Sequence, residues 1–542
     1  MERPSRSQLF HRTQEEEFDV LVIGGGATGA GIIMDASTRG LKSALIEAKD
    51  FGSGTSSRST KLFHGGIRYL ELAFKRLEYE QYLVVKQALN ERYVLLKLAP
   101  HLTRVLPIVI PVYRYWEALY YWIGVKIYDK LAGNRNIGKS RWLSVDFMKM
   151  QFPRLKRLGL KGGVLFFDGQ FDDARMNLSL ILTAISFGAS ALNYVKLKGF
   201  DKKAGKIISA HVEDRLTGKH WNIRAKNVVN AAGPFADVVR RLDDLSSSPL
   251  LTISQGTHFV LDSAFASRDM GLLIPKTDDG RLLFLLPWKG KTLVGTTDFA
   301  TEATDDPKAT QGEIDYLQRH LRKYLGIEVD FNDITALWSG LRPLLCQSGK
   351  VSTAGLTRDF KIEVSSSGLI SVLGGKWTSY RKMAEKNVDL IMDRMKASRP
   401  CITEKTLLVG AKNYTTDFVE KIEKQTSFAA DILNHLLRAY GDQAEAVIAM
   451  ANAGLEKRLV LGYPYIGAEV VYACRHEYAI KVEDVILRRI PLGAIDQKAA
   501  LQALPNIVKI MGKELQWNQE LQKKALHDAS EILNYNNPRN GS

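Results

Sequence analysis

The stretch from residue 18 to residue 50 constrains the fold of this chain more than any other part. Residues 18–23 form a short apolar, β-branched run, which is typical of a buried parallel strand. Gly24, Gly26 and Gly29 end this run in a GxGxxG pattern, and we expect a helix to begin there with its free N–H groups directed at phosphate. Glu47 ends the next apolar run and can accept hydrogen bonds from a ribose. The stretch therefore predicts a Rossmann-type unit that binds a dinucleotide; the alternative is the same unit without a ligand.

The size and charge of the chain limit what surrounds this unit. At 542 residues the chain is too long for one core, so we expect two or three domains. A net charge of +16 favours an anionic partner, namely a membrane surface, a nucleic acid or a phosphorylated substrate, but a solvated basic surface also explains it. Cys346, Cys401 and Cys474 are far apart, so we expect free thiols, no disulfide framework and no metal site.

No segment of the sequence predicts passage through a membrane. The ~20 uninterrupted apolar residues that a spanning helix needs do not occur, although attachment to a membrane surface stays open. Residues 1–10 contain Arg3 and Arg6 but also Glu2, and no apolar core follows them. They are typical neither of a secretory signal nor of a mitochondrial presequence, so the sequence leaves targeting open.

A loop rich in hydroxyl groups follows the second strand. Residues 52–61 read GSGTSSRSTK, and an apolar and aromatic stretch, LFHGGIRYL, follows at residues 62–70. The hydroxyl and N–H groups of Thr55, Ser56 and Ser59 can bond to phosphate and to ring edges, and the glycines at 65 and 66 let the backbone lie against a flat ring. A flexible Ser/Gly linker is the alternative, and the apolar continuation argues against it.

Seven ordered blocks of sequence resemble one protein family. They lie at residues 22–31, 54–71, 166–177, 228–235, 282–298, 338–344 and 368–385, and include VIGGGATGAG, GTSSRSTKLFHGGIRYLE, FFDGQFDDARMN and VVNAAGPF. Together they resemble the FAD-linked glycerol-3-phosphate dehydrogenases, close to the mitochondrial form and akin to the bacterial respiratory enzyme. The resemblance implies an α/β fold with a Rossmann-type FAD-binding part, D-amino-acid-oxidase/glycine-oxidase-like, an α+β substrate domain and a C-terminal all-α domain.

The resemblance also implies which residues hold the FAD. The apolar run before Ala232 and Gly233 is a second strand that ends in a glycine turn. In such flavoproteins this second motif completes the FAD-binding domain beside the pyrophosphate. NAD dehydrogenases generally lack it. Residues 191–195 are expected near the adenine. The predicted FAD-binding residues are Gly24, Gly26, Ala27, Thr28, Gly29, Glu47, Thr55, Ser56, Ser59, His64, Val195, Ala232, Gly233, Gly375, Lys376, Trp377 and Thr378.

The last of these blocks predicts a helix that faces the flavin. Residues 369–373 are expected as a strand, Gly374 and Gly375 as a turn, and residues 376–386 as a helix. Its dipole, its free N–H groups and the Lys376 ammonium would stabilise the negative charge of reduced flavin. A capping cluster without a ligand is the alternative, and it leaves the two glycines unexplained.

Two residues are predicted to carry the chemistry on an antiparallel sheet that spans residues 250–344. His258 matches the family's GTH/GSH histidine and is the candidate base, although a lone strand histidine is more often a core residue. Arg342 is either a scaffold residue or a bidentate ligand for substrate phosphate. We name His258, Arg342 and Lys376 as catalytic candidates, and the predicted substrate-binding residues are Arg68, Tyr69, Arg342 and Lys376. Asp172 and Asp173 lie at a predicted helix start, and at least one of them is interpreted as a helix cap.

Residues 105–131 are the candidate membrane-contact segment. Pro107 and Pro111 are expected to break regular structure before an aromatic helix, which follows an amphipathic helix at about 71–98. The aromatic helix has an apolar stripe made of Tyr120, Ile123, Ile127 and Leu131. Lys126, Asp129 and Lys130 form a charged cluster beside this stripe, a pattern suited to a bilayer interface. Burial of this helix against its own domain is equally compatible with the sequence, and the resemblance favours membrane contact.

These patterns predict the following domain boundaries. Residues 1–17 are an N-terminal tail; residues 18–82, 160–249 and 345–399 form a discontinuous FAD-binding domain; residues 83–159 and 250–344 form the substrate or cap domain. Residues 400–534 are predicted as a separate helical domain and residues 535–542 as a tail. No EF-hand loop occurs, so calcium control, which mitochondrial relatives often have, is not expected.

The resemblance implies oxidation of sn-glycerol 3-phosphate to dihydroxyacetone phosphate, with hydride transfer from C2 to flavin N5 and electron transfer to ubiquinone or another membrane quinone. It places the chain in the glycerol-3-phosphate shuttle or glycerol catabolism, peripherally on the mitochondrial inner membrane, or alternatively on a bacterial cytoplasmic membrane with an anionic surface. The rivals are an oxidase that uses O₂ and a basic nucleic-acid-associated flavoprotein; dispersed charges argue against nucleic acid as a partner. The oligomeric state stays open, a homodimer included.

Overall fold

The computed structural model describes residues 3–66, 79–275, 277–346 and 360–535, and the elements below are those of these ranges. The strands, in chain order, are β1 (Glu17–Ile23), β2 (Ser43–Ile46), β3 (Leu62–Phe63), β4 (Thr103–Val112), β5 (Arg141–Leu143), β6 (Gly162–Phe171), β7 (Ser190–Leu192), β8 (Val195–Lys203), β9 (Lys206–Asp214), β10 (His220–Asn230), β11 (Leu251–Asp262), β12 (Gly271–Ile274), β13 (Leu283–Trp288), β14 (Lys291–Gly295), β15 (Phe299–Thr301), β16 (Ile334–Leu345), β17 (Phe360–Val364) and β18 (Ile370–Gly374). The α-helices are α1 (Arg6–Glu15), α2 (Ala27–Thr38), α3 (Tyr79–Leu98), α4 (Tyr115–Ala132), α5 (Val145–Gln151), α6 (Asp173–Ser186), α7 (Ala236–Asp243), α8 (Gln311–His320), α9 (Tyr380–Arg394), α10 (Thr416–Gln425), α11 (Ala430–Tyr440), α12 (Ala444–Ala449), α13 (Gly467–His476), α14 (Val482–Asp484), α15 (Gln497–Glu514) and α16 (Gln519–Tyr535).

The first sheet is the Rossmann-type part. Its strand order is β17-β18-β10-β1-β2-β7, with β9 paired to β10 and β8 paired to β9, and the pairings of β1 with β2 and β10 are parallel. β18 and β7 extend the parallel part on either side. Because parallel strands are covered by helices on both faces, β1 is almost entirely buried, and α2, α6 and α9 contribute to the same core. The α/β fold class predicted from the sequence is confirmed.

The second sheet is largely antiparallel and carries the strands predicted between residues 250 and 344. Its order is β15-β11-β14-β13-β12-β4-β6-β3, with β16 on β11 and β5 on β6. Residues 162–171 lie in the range that the sequence analysis assigns to the FAD-binding domain, but their strand, β6, pairs with β4 and β3 in this second sheet. An apolar strand that is buried on both faces and leads into a helix looks the same in either sheet, so the sequence alone does not show which sheet it joins.

Pro107 and Pro111 do not break regular structure, contrary to the prediction. Both lie inside β4, opposite Phe167 and Gly163 of β6. The other neighbour of β4, β12, pairs with it only at Ile108 and Val109, so neither proline lies within that short ladder. Because a proline removes one N–H group, it is tolerated where that group is not needed by a neighbouring strand.

The first residues form a packed helix where the sequence analysis expects a tail. Ser5 and Gln8 make a reciprocal capping box, in which Ser5 N–H donates to Gln8 Oε1 at 2.7 Å and Gln8 N–H donates to Ser5 Oγ at 3.2 Å. Leu9 is fully buried, and Arg6 Nη2 lies 3.0 Å from Asp214 Oδ1 of β9. The capping box and these long-range contacts together stabilise α1, although the composition of this segment is typical of an unstructured tail.

The helices after residue 400 share buried contacts with the rest of the chain. One of their clusters is their own, but residues of α15 such as Leu504 and Ile507 belong to the same buried cluster as Val260 and Trp338 of the second sheet. Within the described residues this region is helical apart from one isolated bridge, as predicted, but its packing is not that of an independent unit.

Buried ion pairs join the C-terminal helices to the first sheet. Asp50, just after β2, accepts hydrogen bonds from Arg488 at 2.5 Å and from Arg489 at 2.9 Å. Arg175 of α6 lies 2.8 Å from Glu477 in a second buried pair. Burial alone would raise the pKa of Asp50, but Arg489 and Arg488 outweigh it and hold the carboxylate ionised.

Helix α4 has one packed face and one exposed apolar face. Val125 and Tyr128 are buried against the second sheet, while the exposed side chains are Tyr115 (74% exposed), Trp116 (64%), Leu119 (62%), Tyr120 (42%) and Ile123 (49%). The predicted stripe is therefore shifted, because Ile127 and Leu131 pack against the core. Within the described residues, none of the helices combines the length and apolarity needed to cross a bilayer.

Candidate active site

The turn between β1 and α2 has the geometry of a phosphate-binding cradle. Gly24 has φ +108°, and a Cβ there would lie 2.5 Å from the carbonyl oxygen of Ala231. A Cβ at Gly29 would lie 1.9 Å from the carbonyl oxygen of Gly24, so only glycine allows α2 to approach β1 this closely. Gly26 faces open space except for Ser56 Oγ, 3.0 Å from its ideal Cβ. An anionic group can therefore reach the N-terminus of α2.

Two side chains predicted to contact a dinucleotide line this turn. The Glu47 carboxylate accepts N–H groups from Gly25 at 2.7 Å and Lys49 at 2.9 Å, and burial raises its pKa. Ser56 Oγ accepts the Ala27 N–H at 2.8 Å, which places a hydroxyl beside the first residues of α2. Both side chains lie where a ribose and a pyrophosphate would meet the βα unit.

The other predicted FAD residues reach the same edge of the first sheet. Ala232 and Gly233 follow β10, whose Asn230 pairs in parallel with Ile23 of β1. Gly375 and Lys376 follow β18, which pairs in parallel with β10. Because the carboxyl ends of parallel strands meet at one edge, these turns and the α2 cradle border one crevice.

Contacts of the hydroxyl-rich loop tie it to this crevice. Trp377 Nε1 donates to the carbonyl oxygen of Ser56 at 2.9 Å, and Thr378 Oγ1 lies 3.5 Å from the carbonyl oxygen of His64. The backbone N–H of Val195 donates to the carbonyl oxygen of Glu47 at 2.8 Å. The structure thus brings the loop, Val195 of β8 and the turn after β18 to the same edge of the first sheet.

Two predicted hydroxyl ligands are used within the protein. Ser59 Oγ donates to Asp173 Oδ2 at 2.7 Å, and Thr55 Oγ1 donates to the carbonyl oxygen of Leu341 at 2.5 Å. A hydroxyl whose proton is directed at the protein cannot also donate it to phosphate. Direct FAD contacts of these two hydroxyls stay a prediction.

His258 lies on β11, buried between aromatic and cationic neighbours. Its Nε2 lies 2.9 Å from Thr60 Oγ1, and its ring stacks on Trp338 with centroids 5.6 Å apart. Nδ1 is buried and has no hydrogen-bond partner among the described residues. Burial, with the charges of Arg342 and Lys61, lowers the pKa of His258 well below its usual range, so the ring is neutral at pH 7.

Arg342 lies on β16, with its side chain over β11. Its Nη1 donates to the carbonyl oxygen of Thr297 at 3.0 Å, and its Nη2 donates to Thr296 Oγ1 at 2.8 Å. Asp298 Oδ1 is 3.6 Å from Nη1. The Arg342 side chain as a whole is one-fifth exposed.

Two glycines make room for these side chains on the sheet. An ideal Cβ at Gly256 would lie 2.1 Å from Arg342 Nη2, and one at Gly295 would lie 2.1 Å from His258 Cδ2. Gly256 and His258 are two residues apart on β11, so they face the same side of the sheet. The structure therefore brings His258 and Arg342 together on one face.

A buried lysine next to this pair was not singled out from the sequence. Lys61 Nζ lies 2.6 Å from Asp173 Oδ1 and 5.0 Å from the centroid of the Trp288 ring. Asp172 is the N-cap of α6, as predicted, because its side chain accepts the Arg175 N–H at 3.2 Å. Asp173 is instead the partner of Lys61. The position of Lys61 at the end of the hydroxyl-rich loop, next to Thr60, is the sequence feature that could have predicted its place near the site.

Three other residues, Arg68, Tyr69 and Lys376, are predicted to bind the substrate. Arg68 and Tyr69 lie outside the described residues. Lys376 begins the turn after β18, where its backbone N–H donates to Ser379 Oγ at 3.2 Å. Their roles stay predictions.

Comparisons with known proteins agree with this geometry. Residues 19–381 match the family model of FAD dependent oxidoreductases, and residues 401–522 match the C-terminal domain of alpha-glycerophosphate oxidase. A Caenorhabditis elegans protein named as a probable mitochondrial glycerol-3-phosphate dehydrogenase is 43% identical over 98% of this chain and 75% of its own length. The human mitochondrial glycerol-3-phosphate dehydrogenase is 42% identical over 98% of this chain and 76% of its own. The crystal structure of glycerol-3-phosphate dehydrogenase from Bacillus halodurans, complexed with FAD, superposes with a TM-score of 0.80 at 29% identity, covering 98% of this chain and 97% of that one.

Proposed function

We propose, from the premise that the chain belongs to the FAD-dependent glycerol-3-phosphate dehydrogenases of the mitochondrial type, that it oxidises sn-glycerol 3-phosphate to dihydroxyacetone phosphate and passes the electrons to a membrane quinone. The observation that carries the proposal is the placement of a neutral, buried histidine and a partly exposed arginine on one sheet face. The FAD cradle gives this pair a redox partner.

The residues of the crevice fit FAD. The open backbone at Gly26 and the N-terminus of α2 suit the pyrophosphate, and Glu47 at the end of β2 suits the adenosine ribose. The turn after β18, with Lys376, Trp377 and Thr378, would lie against the flavin ring. When bound, FAD supplies the acceptor for the hydride that leaves C2 of the substrate and relays the two electrons.

Arg342 and Lys376 are proposed to bind the substrate phosphate, together with Arg68 and Tyr69. The planar guanidinium of Arg342 is fixed by Thr296 and Thr297, so little side-chain freedom is lost when it binds an oxyanion. A bidentate contact would also fix the distance of C2 from the reacting groups.

His258 is proposed to accept the proton of the C2 hydroxyl. Its ring is neutral at pH 7, so it can bind a proton as the hydride leaves. Its Nε2 already shares a hydrogen bond with the hydroxyl of Thr60, the same functional group that the substrate would present. We expect this nitrogen to take the proton.

The exposed apolar face of α4 supports attachment to a membrane. Tyr115, Trp116 and Leu119 are each more than half exposed, and adjacent large apolar side chains left in solvent are typical of an interaction surface. Aromatic rings and nearby lysines suit the interface of an anionic bilayer. We propose peripheral attachment, at the mitochondrial inner membrane by analogy with the names of the relatives, and a part in glycerol-3-phosphate shuttling or glycerol catabolism.

An oxidase that uses O₂ is the second candidate. It is favoured by one observation, the match of residues 401–522 to a domain described from alpha-glycerophosphate oxidase. The relatives above 40% identity are named dehydrogenases, and the apolar face of α4 gives a route to a membrane acceptor, so we place the quinone first.

The proposal is tested with the purified, FAD-loaded protein. Anaerobic glycerol 3-phosphate should bleach the flavin absorbance, whereas lactate, glycine and NADH should not. Turnover should depend on added quinone, with little peroxide formed in air; substrate-dependent peroxide without any need for quinone would favour the oxidase. A colourless protein that cannot be reconstituted with FAD would reject both.

The membrane part is tested separately with vesicles. Leu119→Asp, on the exposed face of α4, should reduce co-sedimentation with anionic vesicles while leaving soluble-acceptor turnover intact. Leu245→Asp, at a position 91% exposed elsewhere, is the matched control. Equal vesicle binding by the two variants would contradict membrane contact through α4.

A further inference from the structure

A cavity of about 590 Å³ lies where the second sheet meets the C-terminal helices. Its walls come from β4, the end of β6, the turn between β13 and β14, helix α11 and residues 463–465. Cavities of ~300–1,000 Å³ are typical of small-molecule sites. Among the described residues that line it, none belongs to the predicted FAD or substrate set, so the proposed function does not account for it.

The lining of this cavity is strongly cationic. Its charged side chains are Arg104, Arg268, Lys289, Lys291, Arg438 and the single carboxylate Asp172. Asp172 lies 2.8 Å from Lys289, and Lys291 lies 3.4 Å from Asp262 and 3.8 Å from Asp496, so the two lysines have counter-ions. For the three arginines, the described residues provide no carboxylate within ion-pair distance.

Arg104 is held in place by neutral groups. Its Nε donates to Gln170 Oε1 at 2.7 Å, and its Nη2 donates to the carbonyl oxygen of Pro287 at 2.9 Å. Burial and the charge of Arg438 lower the pKa of Arg104, and the smaller opposing effect of Asp269 does not cancel them. A half-buried guanidinium fixed beside a like charge is stabilised by an anion that enters the cavity.

Part of the remaining wall is aromatic. Phe171, Trp288, Tyr463 and Tyr465 line the cavity with Pro464, and the space is larger than one oxyanion fills. A phosphate monoester carries up to two charges and three acceptor oxygens, which suits three guanidinium groups better than the single charge of a monocarboxylate. We propose that this cavity binds a small phosphate ester, with the phosphate held by Arg104, Arg268 and Arg438 and the organic part against the aromatic side chains.

Arg268 and Arg438 are exposed, so their replacement by glutamine removes charge without disturbing the core. The FAD-loaded protein with Arg342→Ala, which weakens the proposed substrate site, serves as the common background. Phenyl phosphate is titrated by calorimetry at constant ionic strength into this protein and into versions that also carry Arg268→Gln, Arg438→Gln or Arg322→Gln. Arg322 is 73% exposed and is not part of the cavity lining, which makes it the matched control.

We expect Arg268→Gln and Arg438→Gln each to raise the Kd of phenyl phosphate by about ten-fold, because each removes a charge-assisted hydrogen bond. Arg322→Gln should leave it unchanged, and inorganic phosphate and benzoate should both bind more weakly than phenyl phosphate. The same Kd in all three variants would overturn the site, and equal affinity for benzoate would overturn the phosphate assignment. Because the readout is a difference between variants in one background, it does not depend on turnover or on the proposed substrate.

Discussion

The contact between Gly256 and Arg342 gives a sharp test of the proposed substrate site. In Gly256→Ala, the new methyl group would overlap the guanidinium, which lies 2.1, 2.5 and 2.7 Å from the ideal Cβ position at its Nη2, Cζ and Nη1 atoms. The backbone is paired to β16 along this stretch and cannot move easily, so Arg342 must leave its place. The change thus displaces the arginine without deleting it.

The size of the effect follows from the contacts that Arg342 is proposed to make. Each charge-assisted hydrogen bond contributes ~1.5–3 kcal/mol. Because the Arg342 side chain is partly exposed, we take the lower value for each of the two bonds of a bidentate contact, which together contribute about 3 kcal/mol. That corresponds to roughly 150-fold in kcat/KM. Overpacking of the sheet should also lower the free energy of unfolding by ~1–3 kcal/mol.

The assay is steady-state kinetics with a soluble electron acceptor, on the wild type, Gly256→Ala, Arg342→Ala and the double variant. If Gly256→Ala acts by displacing Arg342, it should add little once Arg342 is already alanine. Gly199→Ala is the control, because Gly199 also lies in a strand but has no atom within 4 Å of its ideal Cβ. The same loss from Gly256→Ala with and without Arg342, or normal kcat/KM in Gly256→Ala, would refute the reasoning.

Three further predictions follow from other parts of the structure. His258→Asn should lower kcat by ~10²–10⁴-fold and retain the flavin spectrum. In the wild type, kcat should stay constant from pH 8 down to 6.5, because the pKa of His258 lies well below its usual range. Arg342→Ala should shift the fall of kcat at acid pH to higher pH, because removal of a neighbouring cation raises the pKa of His258. Kinetics and the flavin-to-protein absorbance ratio check this, and an acid limb that stays in place would contradict it. Gly29→Ala should abolish FAD binding or folding, because its Cβ would lie 1.9 Å from the carbonyl oxygen of Gly24, whereas Gly124→Ala on α4, with open space around it, should be neutral in the same absorbance and circular dichroism measurements. Burial, aided by Arg175, lowers the pKa of His101 to about 3; since the unfolded side chain binds a proton below its usual pKa of ~6.5, His101 should make the free energy of unfolding about 2 kcal/mol smaller at pH 5 than at pH 8. Denaturant titrations of the wild type and His101→Gln at both pH values measure this, and an equal pH dependence would exclude His101 as its source.

The sequence predicts the βαβ unit well because local signals and tertiary demands agree there. An apolar run, a glycine turn and a helix start are adjacent in the chain, and Gly24 and Gly29 have steric roles that can be inferred from their spacing. The position of His258 on a strand could also be predicted, and it lies on β11.

The surroundings of His258 could not be predicted in the same way. Lys61 and Asp173 are 112 residues apart, and Thr60 and His258 are 198 apart, so no periodicity connects them. The sheet to which β6 belongs could not be predicted either, because a strand that is buried on both faces has the same sequence pattern in both sheets. Where the tertiary fold determines which residues meet, the sequence shows the residue types but not their contacts.

The buried pairs of Asp50 with Arg488 and Arg489, and of Arg175 with Glu477, bear on how this architecture can be shortened or recombined. A chain cut near residue 400 would keep an aspartate and an arginine stranded in the interior, each without its opposite charge, and would bare the apolar surface that α15 covers. The helical end therefore cannot be exchanged as a detachable module, and any compact relative that dispenses with it has to carry uncharged residues at the positions of Asp50 and Arg175.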